Sequence, residues 1–465
     1  MKNKKKKAIL SALLAALLLL SGCASGTPAE TEPAETESEV VVEEGTAEEV
    51  PAPLSGPRVI VDGRTSYEHE LTAEELEAYP QTTNLPTLYI TLDDGLKLRQ
   101  VQHGVYSPGR YSLVYNGSGI TDMPIEMRGR GNFSWSFSQK TYGLKLGEAA
   151  PLLGMGKGKK WVLITTWSDK TLLRNFITLN NASELLEMQY AVKTRYVDVY
   201  VNDSYNGLYV LSEKISLGEN RVNADALFEC EIASRHGGNH QYCIVCPSGC
   251  HILFKEPIDD EELTKDEKDA IYKQYKQLLI KADVAMTKGI DVYSRYIDVD
   301  SFVDWYIVNE LAKNYDSGFT TSCYCYAKDG KIYMGPCWDY DTCYGNQNVA
   351  TCLWPEGYHV ADSPWYSILT ADEGFKEALH RRWTQLTDDG KVAAFVQMID
   401  DQAAITAESE KLDHQTFKDA LRYDGLRGRM STRTYEAELD YLKEWVNTRI
   451  AWLNTEWYDE NLSNK

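Results

Sequence analysis

Three aspartates in the second half of the sequence have the types and spacing to do chemistry. Asp316 follows a segment predicted to be helical, and Asp339 and Asp341 stand two residues apart in Gly-Pro-Cys-Trp-Asp-Tyr-Asp at 335–341. A pair of carboxylates on a turn suits a hard divalent cation, which prefers oxygen ligands. A third carboxylate can orient an attacking hydroxyl, so the three groups together suit phosphoryl transfer. The spacing alone is also typical of a solvated, Asp-rich turn.

The elements around these aspartates are predicted to fold them into one cleft. Apolar periodicity predicts helices over 265–282, 301–314 and 435–453. A strand pair is predicted at 323–327 and 331–334, joined by an Asp-Gly turn. Because Asp316 follows the second helix and the other two aspartates follow the strand pair, we expect the hairpin to bring the three carboxylates together. The second half is therefore predicted to be mainly helical.

The first half of the sequence is predicted to be rich in strands. Alternation with a period of two, and short apolar runs between turn signals, predict strands at 88–92, 125–127, 140–146, 161–165, 196–201 and 208–211. A helix is predicted from Ser168 or Asp169 to about Met188, because either residue can cap a helix. Asn206-Gly207 is predicted to turn the last hairpin, since both residues tolerate positive φ. The expected fold class is therefore α+β.

The N-terminus has the composition of an export signal. Five lysines lie within residues 1–7, an apolar run with one serine covers 8–20, and Leu-Ser-Gly-Cys follows at 20–23. The run is too short to span a bilayer, so we expect residues 1–23 to be a signal peptide. Its last four residues resemble the lipobox of bacterial lipoproteins, which implies cleavage before Cys23 and lipid on its thiol. An ordinary cleaved signal with an incidental cysteine is the alternative.

The next segment has a different composition. Residues 24–55 contain nine glutamates and no Lys, Arg or aromatic residue, so they cannot bury enough apolar surface to become ordered. We expect an acidic tether behind a lipid anchor, on the extracytoplasmic face of the cell membrane. The whole chain has a formal net charge of −21. This charge argues against a nucleic-acid partner and against membrane contact other than through the lipid anchor.

Cysteine usage leaves three interpretations open. The sequence has ten cysteines, nine of them after Cys23. Three form Cys-x2-Cys-x3-Cys within residues 243–250, a spacing that is loose for zinc, with His236, His240 and His251 nearby. The Pro-Ser-Gly inside this segment predicts a hairpin turn, so a cross-strand disulfide competes with zinc. Free thiols in a reducing habitat are the third interpretation.

Further motifs accompany the aspartates along the chain. They are Arg-Gly-Arg-Gly-Asn at 128–132, Lys-Thr-Tyr-Gly-Leu-Lys-Leu at 140–146, Asp169 with Arg174-Asn175, and Asn-Gly-Leu-Tyr-Val-Leu-Ser-Glu at 206–213. No one of these motifs is specific. Their order and spacing, together with Asp316 and 335–341, resemble the CotH (spore-coat-protein-H) kinase family. The resemblance covers roughly residues 84–455.

The resemblance implies an atypical protein-kinase fold of two lobes. A β-rich N-lobe would cover 84–215 and a mainly helical C-lobe 216–465, with a lead-in at 56–83. The chain has no His-Arg-Asp triplet and no Asp-Phe-Gly triplet, so it is not a conventional protein kinase. Asp169 and Arg174 are expected to cap and orient a helix, without touching substrate.

The resemblance also implies roles in ATP binding. The turn over the nucleotide phosphates would consist of Arg128, Gly129, Arg130 and Asn132, where glycine allows close backbone approach. Lys140 or Lys145 would contact phosphate oxygens. Alternation along the strand places these two lysines on opposite faces, so only one of them can point into the cleft. Glu213, with Lys214, would lie at the hinge between the lobes, near the adenine.

In the family, the aspartates carry the reaction itself. Asp316 would position a Ser or Thr hydroxyl, and Asp339 would bind Mg²⁺ or Mn²⁺, with Asp341 as a possible second ligand. The implied activity is transfer of the ATP γ-phosphoryl group to Ser or Thr of a surface or exported protein. A catalytically inactive, kinase-like surface module for binding or assembly is the alternative.

A third functional class is a glycosyltransferase. Asp339-Tyr340-Asp341 matches the Asp-x-Asp pattern that holds a metal and a nucleotide sugar. Such an enzyme requires Rossmann-like alternation of strands and helices. The β-rich first half of the sequence argues against that alternation.

Overall fold

The computed structural model describes residues 69–232, 234, 241–424 and 429–463. Cys23, the predicted signal segment and the predicted acidic tether lie outside these residues. Within the described part, the chain has mixed α and β content, with a β-rich region followed by most of the helices. None of the helices described is long and apolar enough to cross a membrane.

Eight strands form the β-rich region. They are β1 His69–Glu70, β2 Thr87–Leu92, β3 Ser107–Tyr115, β4 Ser118–Gly129, β5 Tyr142–Ala150, β6 Gly158–Thr165, β7 Thr194–Val201 and β8 Ser204–Glu213. The order is β1-β4-β3-β2-β7-β8-β6-β5, and β5 also pairs with β4, so β2 to β8 close into a barrel. All neighbours are antiparallel except β2 and β7. Inward residues such as Leu144 and Leu163 fill the barrel, so the alternate residues face outward.

The hairpin of β7 and β8 turns earlier than the sequence predicted. Asn202 and Asp203 make the turn, with φ of 48° and 64°. Gly207 lies inside β8 next to a register shift, with φ of 114°. A Cβ at Gly207 would come within 2.0 Å of Gln139 Nε2. The glycine is therefore required by a neighbouring segment packed against the strand, and not by the hairpin turn.

Most of the helices lie in the second part of the chain. The α-helices are α1 Ala73–Ala78, α2 Arg174–Asn180, α3 Lys265–Met286, α4 Ile290–Tyr293, α5 Val299–Ala312, α6 Ala350–Leu353, α7 Tyr366–Leu369, α8 Glu373–Asp388, α9 Lys391–Ile405, α10 Ala407–Thr416 and α11 Tyr435–Trp457. Helices α3, α5 and α11 confirm the three helices predicted from apolar periodicity. Helix α5 is capped by Asp298, whose side chain accepts the backbone N–H of Ser301.

The helix predicted to start at Ser168 or Asp169 begins later, at Arg174. Asp169 lies before the helix, and its carboxylate accepts the backbone N–H groups of Thr171 (3.0 Å) and Arg174 (2.7 Å). The same carboxylate forms a fully buried ion pair with the Arg174 guanidinium. Asp169 and Arg174 therefore hold the start of α2, in the structural role that the sequence indicated. The helix continues as a π-helical turn over Asn181–Leu185.

A five-stranded antiparallel sheet accompanies these helices. Its strands are β9 Ala226–Cys230, β10 Cys243–Val245, β11 His251–Glu256, β12 Cys323–Lys328 and β13 Lys331–Met334. They lie in the order β10-β11-β9-β12-β13, and all of the pairs are antiparallel. The β12–β13 pair confirms the strand pair predicted at this place. The β10–β11 pair contains the hairpin turn predicted from Pro-Ser-Gly.

The two faces of this sheet differ chemically, because side chains alternate along each strand. Cys230 lies opposite Cys323 on a face that packs into the main hydrophobic core. Glu229 lies opposite Tyr324 on the other face, which lines a cavity. A slip of one residue would exchange the two faces, so the buried thiols fix the register that presents Glu229 to the cavity.

The nine cysteines after Cys23 are free thiols. Eight of them are buried, and Cys243 is half-buried. In the described residues, no group of three His, Cys, Asp or Glu side chains is arranged to hold a metal ion. Of the three interpretations left open by the sequence, the structure therefore agrees with free thiols. His236 and His240 lie outside the described residues.

Candidate active site

A cavity of about 540 Å³ collects residues from distant parts of the sequence. Asp316, Asp339 and Asp341 line it together with Arg130 and Asn132. The two latter residues come from the turn that follows β4. Asp316 lies in a single 3₁₀ turn just after α5, and the other two aspartates lie in the loop after β13. The polar face of the five-stranded sheet forms a further wall.

Two asparagines hold the loops of the aspartates in place. Asn314 donates from Nδ2 to the backbone carbonyl of Asp339 (2.9 Å), and its Oδ1 accepts from the Thr342 hydroxyl (2.9 Å). From α2, the Asn175 Oδ1 accepts the backbone N–H of Tyr340 (2.7 Å). The loops after α5 and β13 are therefore fixed to each other and to α2. Asn175 lies within one of the sequence motifs and Asn314 lies two residues before Asp316, but spacing alone did not indicate these contacts.

The pKa of Asp341 is raised to about 7. Burial is the main cause, and the negative charge of Asp339 acts in the same direction. A hydrogen bond from the Ser168 hydroxyl to Asp341 Oδ2 (2.7 Å) opposes both effects. Near neutral pH, the ionised forms of Asp339 and Asp341 repel each other, so binding of a proton or a cation relieves the repulsion.

The carboxylates fit a divalent cation whose coordination is completed by a ligand. The described residues contain no closed cage of three acidic, His or Cys side chains. Mg²⁺ is usually held in another way, by one or two carboxylates together with phosphate oxygens and water. Asp339 and Asp341 supply such a pair of carboxylates, in a cavity with room for a phosphorylated ligand. The donor set is therefore suited to Mg²⁺ or Mn²⁺ bound together with phosphate.

Arg130 brings positive charge to the cavity from the barrel. Its guanidinium lies over the Trp338 ring, 5.4 Å from the ring centroid. Burial lowers the pKa of Arg130, while Tyr324 and Asp339 act in the opposite direction. Gly131 follows with φ of 87°, a left-handed conformation that favours glycine, and this reverses the chain beside the cavity. The cavity thus places a guanidinium near a group of carboxylates.

Comparison with models of known protein families identifies the family of this chain. The family model described as CotH kinase protein matches residues 127–453. The chain belongs to the CotH kinase family. The match runs from the end of β4 into α11, so it includes the turn of Arg130 and the three aspartates. No curated protein matches the chain significantly.

Two predicted site residues of this CotH family member lie beside the cavity but do not line it. Arg128 stacks on Tyr106, with its Cζ 4.6 Å from the ring centroid, and donates to the backbone carbonyl of Gly104 (3.4 Å). Gly129 lies beneath the ring of Trp135. The structure therefore separates the predicted phosphate turn into Arg130 and Asn132, which line the cavity, and Arg128 and Gly129, which support the turn.

Neither of the two predicted phosphate-binding lysines lines the cavity of the CotH family member. Lys140 donates to the backbone carbonyls of Trp135 (2.7 Å) and Phe137 (3.0 Å), so its ammonium closes the turn after β4. Lys145 forms an ion pair with Glu126 on the outer surface of the barrel. Lys140 precedes β5, which begins at Tyr142, so the alternation predicted along 140–146 does not apply to it and did not indicate the neighbours of either lysine.

Glu213 points to a different cavity. It pairs with the buried Arg221 (2.9 Å), and its Oε2 accepts the backbone N–H of Lys193 (3.1 Å). These groups line a cavity of about 420 Å³ that does not include the aspartates. The next residue, Lys214, lines a smaller cavity of about 200 Å³ together with Arg130 and other residues of the aspartate site. At the predicted hinge, Lys214 therefore faces the site, whereas Glu213 does not.

β12 was predicted as a strand, but the wall that it forms with β9 and β11 was not predicted from the sequence. Glu229, Lys255 and Tyr324 line the cavity from these strands. The sequence contains a weak signal for a strand in Glu229-Cys230-Glu231, where two charged residues flank a cysteine. The strands β9 to β11 are short, however, and alternation over so few residues does not distinguish a strand from a loop.

Proposed function

We propose that this CotH family member is a protein kinase that transfers the ATP γ-phosphoryl group to Ser or Thr of a surface or exported protein. The observation that carries the proposal is the convergence of Asp316, Asp339 and Asp341 in one cavity, with Arg130 beside them. In this proposal the barrel is the N-lobe of a two-lobed, kinase-like fold. The five-stranded sheet and the later helices are the C-lobe.

The residues of the site have distinct roles in the proposed reaction. Asp339 and Asp341 would hold Mg²⁺ or Mn²⁺, which would supply positive charge to neutralise the phosphates. The Asp316 carboxylate orients the acceptor hydroxyl and accepts its proton. Arg130 stabilises the negative charge that develops on the transferred group, and Asn132 donates hydrogen bonds to phosphate oxygens from the same turn.

The two adjoining cavities suit the two ends of a nucleotide. The smaller cavity includes apolar side chains, Ile215, Leu227 and Trp338, that suit a flat base, beside charged groups such as Lys214 and Asp259. The larger one contains the carboxylates and Arg130, which suit phosphates with a divalent cation. Arg130, Tyr324 and Trp338 line both cavities, so a single extended ligand can occupy them together.

A nucleotide-binding surface module without turnover is the second candidate. The positions of Lys140 and Lys145 favour it, because the ammonium groups of both lysines have partners away from the cavity. A glycosyltransferase is less well supported, because a closed barrel replaces the strand–helix alternation that such an enzyme requires.

The location of the enzyme is proposed from the sequence alone. The basic and apolar segment before Cys23 supports export, and the lipobox-like Leu-Ser-Gly-Cys supports a lipid anchor on the extracytoplasmic face of the cell membrane. We propose that the anchor is the chain's contact with the membrane. We also propose that the acceptor is a protein and that nucleic acid is not a partner, in keeping with the net charge of −21.

The experiment that tests this function is transfer of label from γ-labelled ATP to a generic Ser/Thr-containing protein. The full chain is assayed with Mg²⁺, with Mn²⁺ and with EDTA. We expect metal-dependent label on serine or threonine. Binding of ATP without transfer to any acceptor or to the chain itself would favour the inactive module, and failure to bind ATP would contradict both candidates.

A further inference from the structure

The proposed reaction leaves without a role one ion pair on the sheet wall of the cavity, that of Lys255 and Glu229. Lys255 Nζ lies 3.3 Å from Glu229 Oε2. Both residues line the cavity of the aspartates, and the side chains are 31% and 10% exposed. Lys255 lies at a register shift of β11, between Phe254 and Glu256. Bulges of this kind re-aim side chains and are common beside active sites.

Glu229 is held from two directions. Its Oε1 accepts the backbone N–H of Ser322 (3.0 Å), and its Oε2 faces Lys255. The Ser322 hydroxyl lies 3.4 Å from Asp339 Oδ2. A continuous series of contacts therefore links Lys255, through Glu229 and Ser322, to the proposed metal-binding aspartate. Glu229 fixes the ammonium relative to that aspartate.

The position of Lys255 matches the middle of an extended nucleotide. Lys255, like Arg130, Tyr324 and Trp338, lines both the smaller cavity and the larger one that contains the aspartates. With the base in the first and the transferred group near Asp316, the intervening phosphates cross the junction beside Lys255. An ammonium has three donors, and an ion pair with a single carboxylate leaves donors for a phosphate oxygen.

We propose that Lys255 binds a non-transferred phosphate of the nucleotide, and that Glu229 is the positioning residue that holds Lys255 there. The inference rests on the proposed function. It assigns to a lysine of the five-stranded sheet the phosphate-binding role that the family resemblance implied for Lys140 or Lys145. The ammonium groups of those two lysines contact the carbonyls after β4 and Glu126, whereas that of Lys255 faces the cavity.

The test compares binding of ATP and of adenosine to the full chain in the presence of Mg²⁺. In Lys255→Met we expect the Kd for ATP to rise about 10- to 100-fold, the effect of losing one charge-assisted hydrogen bond. We expect the Kd for adenosine to stay within about twofold, because adenosine has no phosphate. Lys255→Arg keeps the charge and should recover part of the ATP affinity. Lys145→Met is the matched control, since that lysine pairs with a glutamate outside the cavity, and it should bind ATP normally.

Glu229 is tested by a double-variant comparison. Glu229→Gln keeps an acceptor for the Ser322 N–H but removes the charge next to Lys255. We expect a rise of about three- to tenfold in the Kd for ATP, with the Kd for adenosine unchanged. Because Glu229 acts through Lys255, Glu229→Gln should add little when Lys255→Met is already present. Additive effects of the two changes would contradict the positioning role.

The outcomes separate this inference from the proposed function. If the unaltered chain binds no ATP, the proposed function fails and the inference fails with it. If the unaltered chain binds ATP and Lys255→Met binds it equally well, only the inference is overturned. Equal loss of ATP and adenosine binding in Lys255→Met would also overturn it, because a merely structural role would then explain the effect.

Discussion

At the scale of single residues, Asp341 shows why the proposed site favours binding of a cation. Its carboxyl group is partly buried near Asp339, and its pKa is raised to about 7. The fold keeps the two acidic groups together, although the arrangement costs stability when both are ionised. A cation that binds the folded protein better than the unfolded chain offsets this cost.

We therefore expect Mg²⁺ to raise the melting temperature of the full chain near pH 7.5. A site that is well saturated should shift it by about 2 to 4 °C. Asp339→Asn should abolish the shift, and Asp401→Asn, a change at an exposed aspartate of α9, should preserve it. The measurement is a thermal melt with Mg²⁺ and with EDTA. An equal shift in Asp339→Asn would show that Mg²⁺ binds elsewhere.

At the scale of elements, the prediction from sequence succeeded where apolar periodicity is long or where a clear turn signal joins two strands. Helices α3, α5 and α11 and the β12–β13 pair were predicted, and the short link of β12 and β13 explains why the three aspartates converge as expected. The wall that carries Lys255 was not predicted, because β9 to β11 contain only five, three and six residues. The turn of β7–β8 was also misplaced, because Asn206-Gly207 carries the stronger turn signal although Gly207 serves packing.

Helix α10 is attached to the barrel by a buried carboxyl group. Asp413 Oδ1 accepts the backbone N–H of Leu208 (2.8 Å) and the Gln139 Nε2 (3.2 Å). Burial raises the pKa of Asp413 to about 7. The folded state therefore binds a proton more tightly than the unfolded chain, so this group's contribution to stability is lost as the pH rises from about 4 through 7.

Asp413→Asn keeps an acceptor oxygen but removes the titration. We expect the variant to gain melting temperature relative to the unaltered chain as the pH rises from 5 to 8. Melting curves at several pH values, compared between the two proteins, measure this difference. A difference that does not change with pH would contradict the assignment.

The thiol face of the five-stranded sheet gives a second prediction at this scale. The nine cysteines after Cys23 are free, and only Cys243 of them is not fully buried. We expect nine thiols, apart from that of Cys23, to react in unreduced, denatured protein, and at most about one to react rapidly in the native state. A lower count after denaturation would mean that disulfides exist.

At the scale of the whole molecule, the site is built from segments far apart in the sequence. Arg130 and Asn132 come from the barrel, Lys255 from the sheet, and the aspartates from loops near its last strands. These segments all belong to one compact unit, residues 54–465. The boundary between two lobes, predicted between residues 215 and 216, therefore stays a prediction. Spacing within the sequence cannot give the distance between Arg130 and Asp339, because that distance depends on how the barrel packs on the helical part. The family resemblance supplied the pairing of these segments.

The central claim is that this CotH family member transfers a phosphoryl group in the acidic cavity, and two variants test it most directly. ATP affinity and transfer of label from γ-labelled ATP are measured for the unaltered chain, Asp316→Asn and Asp339→Asn. We expect Asp316→Asn to keep its ATP affinity and lose transfer by at least about 100-fold, the range for a general base. Asp339→Asn should lose both Mg²⁺-dependent ATP binding and transfer. Full transfer activity in either variant would contradict the claim.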